Sequence, residues 1–215
     1  AGAYVGLGII LILSVGGTAD PAYQKLVMGL SFGVALTLVV FAGAELFTGY
    51  TMYMTFGWLQ RRLCCRKILQ IWAAVWLGNL VGAGLITGLF FAGGGGNLVG
   101  DAAPLLHEIA AYKMHSSPFA LVAKAILCNW LVCLALWMAT KTKSDAGKAI
   151  AIFWALFTFI ASGYEHSVAN MTLLSLSVFS NHPETVSLGG MFYNLFWVTI
   201  GNSIGGSIFM GLGYW

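Results

Sequence analysis

Apolar positions along this chain fall into long runs rather than into the alternating patterns of a half-buried sheet. Leu26 to Ala44, Ile68 to Gly100 and Thr185 to Trp215 contain no Asp, Glu, Lys or Arg. A helix that crosses a bilayer needs roughly 20 mostly apolar residues. The pattern predicts six spans, at about 1–16, 26–57, 68–92, 118–140, 149–179 and 188–215. The spans at 26–57 and 149–179 are too long for one helix. Each carries a polar interruption, FAGAELFTGYT (41–51) in the first and ASGYEHSVANMT (161–172) in the second. The expected fold class is all-α: a polytopic membrane protein of one transmembrane unit, 1–215, with spans two and five broken.

The two halves resemble each other. Gly43-Ala44-Glu45 recurs as Gly163-Tyr164-Glu165, and GNLVG (78–82) recurs as GNSIG (201–205). The motif order is a span, an interrupted span and a Gly-Asn span, repeated about 1–92 and 118–215. Three spans per repeat bring the second copy in from the opposite side, which makes an inverted repeat. Broken helices at matching positions of such repeats mark a substrate path. Irregular backbone survives in a bilayer only where it is buried in protein or lines a cavity. Gly43 and Gly163 supply the bends. Glu45 and Glu165 come just before the presumed breaks, and their carboxylates are expected to accept the freed backbone N–H groups, with a proton-carrying acid as the alternative. Asn79 and Asn202 are expected to hydrogen-bond across helices. Glycine pairs such as Gly78/Gly82 and Gly201/Gly205 have the spacing that lets membrane helices approach closely.

Composition agrees with the pattern. Only 8% of residues are charged, against about 25% in a soluble domain, and the mean hydropathy is +0.86. The net charge of +3 is too small and too localised to suggest nucleic acid. The cations cluster in QRRLCCRK (60–67) and TKTKSDAGK (140–148). The alternating loops at 16–25, 93–117 and 180–187 are acidic or mixed. Short basic loops face the cytoplasm, so these two and both termini are expected inside. The opening run has no basic n-region and no small-residue cleavage site, so it reads as a span that begins part-way and not as a signal peptide. Cys64 and Cys65 lie in an inner loop. Cys128 and Cys133 are five apart on one helix and do not share a face, so no disulfide framework is expected.

One residue stands apart chemically. His107, His115 and His182 fall in loops on the outer side and are expected to be solvated. Only His166 lies near mid-membrane, where an ionisable side chain is a functional candidate by default. A catalytic metal site needs about three protein ligands, which one deep histidine and distant carboxylates do not supply. No metal and no cofactor are expected. An intramembrane enzyme would need His166 and Glu165 as acid and base, but no nucleophile motif accompanies them. A water or glycerol pore would also have inverted repeats, but the paired Asn-Pro-Ala signatures are missing.

LFTG (46–49), WLGNLVG (76–82), NWLVCLALWMA (129–139), ASGYEHSVANM (161–171) and VTIGNSIGG (198–206) resemble the formate/nitrite transporter family along the whole chain. The resemblance is greatest to the family's nitrite channels. It implies an aquaporin-like protomer and a homopentamer in the bacterial inner membrane, with one pore per protomer for small monovalent anions. Nitrite is the expected substrate, with formate as the alternative. The resemblance further implies that His166 is the central pore histidine and Thr48 its partner. Phe32, Leu36, Leu46, Phe47 and Phe159, with Val132 nearby, would form the apolar constrictions. Asn129 and Asn202 would be polar pore-side groups, and Lys113 would sit near the outer entrance. Lys124 is either an anion attractor in the vestibule or a lysine snorkelling to the interface.

Two permeation routes stay open at this level. A histidine in water titrates near pH 6.5, at about that value, whereas the conjugate acids of nitrite and formate are much stronger. Desolvation penalises both charged partners, so a neutral imidazole beside a neutral acid becomes competitive with the ion pair. In the other route His166 stays neutral as a hydrogen-bond donor and the anion passes as an anion.

Overall fold

The computed structural model describes residues 1–100 and 103–215; Asp101 and Ala102, within the loop at 93–117, lie outside the described residues. The described chain is all helical: α1 (Gly2–Gly16), α2 (Gln24–Ser31), α3 (Gly33–Phe41), α4 (Phe47–Leu59), α5 (Cys65–Ala92), α6 (Ala103–His115), α7 (Pro118–Lys141), α8 (Asp145–Ala161), α9 (Ser167–Phe179) and α10 (Leu188–Ile204). A 3-10 turn covers Gly96–Val99, and α10 runs on into a π-helical segment, Gly205–Leu212. Among the described residues, four helical stretches are long and apolar enough to cross a membrane: Gln24–Phe41, Cys65–Ala92, Pro118–Lys141 and Leu188–Leu212. Helix starts are written locally. Ser117, Ser144 and Ser187 each accept a backbone N–H from the first turn of α7, α8 and α10, as N-cap serines do.

The helix faces follow from packing. α5 buries Asn79, Ala83 and Thr87, one residue per turn, and turns Leu77, Val81, Leu85 and Leu89 outward. An apolar outer face suits surroundings that are themselves apolar. Glycine sets the approach of α10 to α7. A β-carbon on Gly201 would stand 2.5 Å from the Val122 carbonyl oxygen, and one on Gly205 would stand 2.5 Å from that of Ile126.

Helical form is lost between α3 and α4 and again between α8 and α9, at the two polar interruptions. Both upstream helices end in the same way. Gly43 (φ +66°) and Gly163 (φ +69°) are left-handed. The N–H groups of Ala44 and Tyr164 reach back to the carbonyls of Val39 (2.9 Å) and Phe159 (3.0 Å). This is a Schellman stop, and glycine fits it because it has no β-carbon. The downstream helices also start alike. Phe47 N–H donates to Asn79 Oδ1 (2.9 Å), and Asn79 Nδ2 donates to the Glu45 carbonyl (2.8 Å). Ser167 N–H donates to Asn202 Oδ1 (2.8 Å), and Asn202 Nδ2 donates to the carbonyls of Glu165 and Ala125 (both 2.9 Å).

Two expectations are corrected here. The Glu45 and Glu165 carboxylates do not accept the freed N–H groups; the asparagine amides do. An amide both donates and accepts, so it satisfies an N–H and a C=O on the two sides of a break, which a carboxylate cannot. His107 is not a solvated loop residue. The loop at 93–117 contains α6, whose buried face is Leu106, His107, Ala110 and Met114. His107 Nδ1 shares a hydrogen bond with Ser177 Oγ (2.8 Å), and Nε2 is buried without a partner among the described residues. Burial pushes this imidazole below its ordinary value.

Asn202→Ala and Asn79→Ala should each leave a buried break unsatisfied, at about 1–3 kcal/mol per orphaned group. Thermal unfolding in detergent should show a lower midpoint for both, and an unchanged midpoint would contradict the assigned bonds. A His107 that is neutral when folded takes up its proton more readily unfolded. Stability should therefore be full above about pH 6.5 and fall as the pH drops through it. His107→Gln should flatten that slope in a pH series of melting curves.

Candidate functional site

His166 is the residue on which the second break ends. It is the N-cap of α9: Ala169 N–H donates to its Nδ1 at 3.1 Å. That partner assigns the tautomer. Nδ1 holds a lone pair, so the proton is on Nε2, which donates to Thr48 Oγ1 at 3.1 Å. Thr48 stands in the first turn of α4, directly after the other break. The two breaks thus meet through one threonine–histidine bond. Phe159 stacks on the imidazole with centroids 5.8 Å apart, and the Phe32 ring meets Phe159 edge-on at 5.4 Å. His166 is 4% exposed, and both of its ring nitrogens have partners.

Three cavities follow one another through this point. A cavity of about 440 Å³ opens beside α6, and its walls include Lys25, Glu108, Lys113, Lys124, Phe159 and His166. A narrow space of about 10 Å³ lies between Phe32, Leu36, Leu46, Val132, Phe159 and His166. At the other end a cavity of about 720 Å³ is bounded by Leu46, Glu45, Tyr50, Tyr53, Lys143 and Lys148. Phe159 and His166 border the first and second spaces, and Leu46 borders the second and third. The middle space has room for about one water at most, and His166 is its polar wall.

Charge at the α6 end is organised around Glu165. Its Oε1 accepts Lys113 Nζ (2.9 Å) and its Oε2 accepts Asn170 Nδ2 (2.6 Å). Asn170 also donates to Asn194 Oδ1 (2.8 Å), and Asn194 Nδ2 closes the ring on the Lys113 carbonyl (3.0 Å). Lys124 Nζ donates to the Tyr112 hydroxyl at 2.7 Å. That bond holds the Tyr112 hydroxyl below its ordinary value. Among the described residues no three His, Cys, Asp or Glu side chains gather as metal ligands.

The formate/nitrite transporter family model matches residues 1–215, the whole chain. The chain belongs to the formate/nitrite transporter family. It is 52% identical over 215 residues to the nitrite transporter NirC of Escherichia coli strain K12, covering all of this chain and 80% of that protein. A solved ion channel of the same family superposes with TM-score 0.96 at 50% identity, covering 100% of this chain and 85% of that one. A pentameric formate channel with formate bound superposes with TM-score 0.84 at 26% identity, covering 100% and 92%. This chain is therefore an integral membrane protein of a transporter family.

Not every residue expected at the path of this family member lies there. Phe32, Leu36, Leu46, Val132, Phe159 and His166 surround the narrow space, and Lys113 and Lys124 line the α6-side cavity. Phe47 does not border these cavities. Its ring packs edge-on against Trp72 at 6.3 Å, because its position as first residue of α4 turns it outward from the break. Asn129 and Asn202 also lie off the cavity walls. Asn129 Nδ2 bonds Thr48 O, Thr51 Oγ1 and Asn202 O, so both amides are spent on backbone and side-chain partners. Thr48 does not border these cavities either; its hydroxyl bonds His166. Asn170 and Asn194 went unnoticed in the sequence. Their only signal was an amide within an apolar run, which in a membrane helix marks a partnered interior position.

His166→Asn should separate ring from cap, since asparagine caps helices well and alanine does not. His166→Asn should keep the melting midpoint close to wild type. His166→Ala should lose about 1 kcal/mol, read from the same detergent melts.

Proposed function

We propose that this chain is the protomer of a nitrite channel in the bacterial inner membrane. It forms a homopentamer with one pore through each single-domain protomer. Each protomer has six spans in a 3+3 inverted repeat, with the helix breaks of spans two and five at its centre. The basic loops and both termini face the cytoplasm, and the α6-side cavity faces outward. The observation that carries the proposal is the line of three cavities, with His166 and Phe159 shared by the first two and Leu46 by the last two. Identity to a nitrite transporter supports nitrite as the substrate, and the pentameric likeness supports the assembly. Formate is the second substrate, favoured by the same structural likeness to a formate-bound channel. The family's transport activity leaves no role for catalysis.

The physical steps follow from the walls. Lys25 and Lys124 draw small anions into the outer cavity, where the Glu165 charge is matched by Lys113. At its floor the permeant meets the neutral imidazole of His166 and then an apolar neck. A bare anion there loses its hydration without a compensating partner, a very large cost that the neutral acid avoids. The ring is not a stored proton. A proton on Nδ1 would break the α9 cap and set a cation at the positive end of that helix. The proton therefore travels with the permeant from water in the outer cavity. Among the described residues, His166 is the one side chain with hydrogen-bonding atoms on the walls of the neck.

Proteoliposomes loaded with a pH indicator and held under voltage clamp test this. Nitrite flux should carry protons one for one and no net current. Steady anion current without proton movement would overturn the neutral-acid route. His166→Asn should lower flux on the order of tenfold or more, as loss of a positioned polar group does. Thr48→Ala should have a smaller effect.

A further inference from the structure

The two basic loops differ in what their cations do. At the α7–α8 connection two of the three lysines are engaged. Lys148 Nζ donates to Asp145 Oδ1 at 2.9 Å, and Lys141 Nζ lies 4.2 Å from the centroid of the Trp137 ring. The turn between α4 and α5 holds Arg61, Arg62, Arg66 and Lys67, with no acid among them. All four are exposed, and none makes an ion pair among the described residues. The turn is nonetheless firmly built. Arg61 N–H donates to the Trp58 carbonyl (2.8 Å), and the N–H groups of Arg62 and Leu63 both donate to that of Gly57 (2.9 and 3.2 Å). Arg61 takes a left-handed φ of +58°, which costs a residue with a β-carbon. The backbone thus holds the cations together against their mutual repulsion. Arg66 and Lys67 stand in the first turn of α5, where the helix end is already positive. From there an exposed row runs up α5 through Arg66, Leu69, Ala73, Leu77 and Val81. Steps of three or four residues keep that row on one face. Its polarity is that of a phospholipid, charged at one end and apolar along the rest.

We propose that the α4–α5 turn binds an anionic phospholipid, its headgroup phosphate against Arg61, Arg62, Arg66 and Lys67 and an acyl chain along the exposed row of α5. Arginine offers a phosphate two parallel N–H bonds. Each Lys or Arg beside an anionic headgroup strengthens the attraction about fivefold. The other occupant that an exposed membrane helix invites is a second copy of this chain. Copies related by an axis along the bilayer normal bring the same end alongside, where the acids are already placed. Of the seven Asp and Glu, Asp20, Asp101, Glu108 and Glu184 belong to the loops of the opposite end, and Glu165 is paired with Lys113. Asp145 is taken by Lys148, and Glu45 lies on the cavity wall beside Tyr50. A lipid phosphate brings the negative charge that a second copy does not.

The experiment melts the full-length protein in a neutral maltoside detergent with added phosphatidylglycerol, phosphatidylcholine or glycerol phosphate. Phosphatidylglycerol should raise the midpoint saturably, and the other two should not. High salt should remove most of the rise. R66Q/K67Q should raise the half-saturating lipid concentration by about 25-fold, and R61Q/R62Q/R66Q/K67Q by several hundredfold, on the order of fivefold per cation. K141Q/K143Q/K148Q should respond as wild type. The double variant leaves Arg61 and its turn in place, so it serves even where the quadruple variant does not fold. An equal response to glycerol phosphate would give the turn to a free anion, and an equal response to phosphatidylcholine would leave the cations without a part; either overturns the proposal. So does a wild-type titration from R66Q/K67Q. A quadruple variant that changes only the oligomer size on size-exclusion chromatography, with its lipid response intact, gives the turn to a second copy and overturns it as well.

Discussion

A helix cannot stop half-way through a bilayer unless something satisfies the backbone it leaves open. In this protein that need is met twice by an asparagine amide. Asn79 and Asn202 each bridge a break, accepting the N–H that starts the next helix and donating to a carbonyl on the other side. In lipid no water stands by to replace such a bond. The breaks bring Leu46 and His166 to the wall of the narrow space and Thr48 within hydrogen-bond distance of His166. The narrow space between the two cavities exists because of them.

His166 links this scaffold to chemistry. One ring nitrogen finishes the second break as a helix cap, and the other bonds Thr48 beside the first. The residue proposed to meet the permeant is thus also a structural element, and its tautomer is set by the helix it caps. Phe159 stacked on the ring leaves it little freedom to turn. A rigid, neutral hydrogen-bonding group in an apolar neck is suited to a species that has given up its charge before entering.

The two breaks are built alike in backbone, but the charges around them differ. α6 contributes Lys113, and with it the closed ring through Glu165, Asn170 and Asn194. At the basic-loop end the equivalent carboxylate, Glu45, is exposed beside the Tyr50 hydroxyl. The two ends of the path are therefore chemically different, although the helices around the neck are close relatives in shape.

Hydropathy alone placed the long helices and the two interruptions, because lipid solvation acts on each stretch independently of its neighbours. Gly43 and Gly163 marked the breaks for an equally local reason: a left-handed helix stop favours a residue without a β-carbon. His166 was legible as the one histidine deep in an apolar run. Family likeness supplied the ring of Phe32, Leu36, Leu46, Val132 and Phe159, which hydropathy does not distinguish from other core residues. What the chain could not reveal is where its polar atoms point. Whether Asn202 lines a path or ties a break depends on Ser167, thirty-five positions away. Whether His107 is wet depends on how α6 lies on α9. The facing of Phe47 toward Trp72 is likewise a matter of packing. Local composition decides that a segment is helical and buried in lipid. Only the assembled helices decide which buried side chain finds a partner and which is left to face a cavity, because those partners come from distant segments.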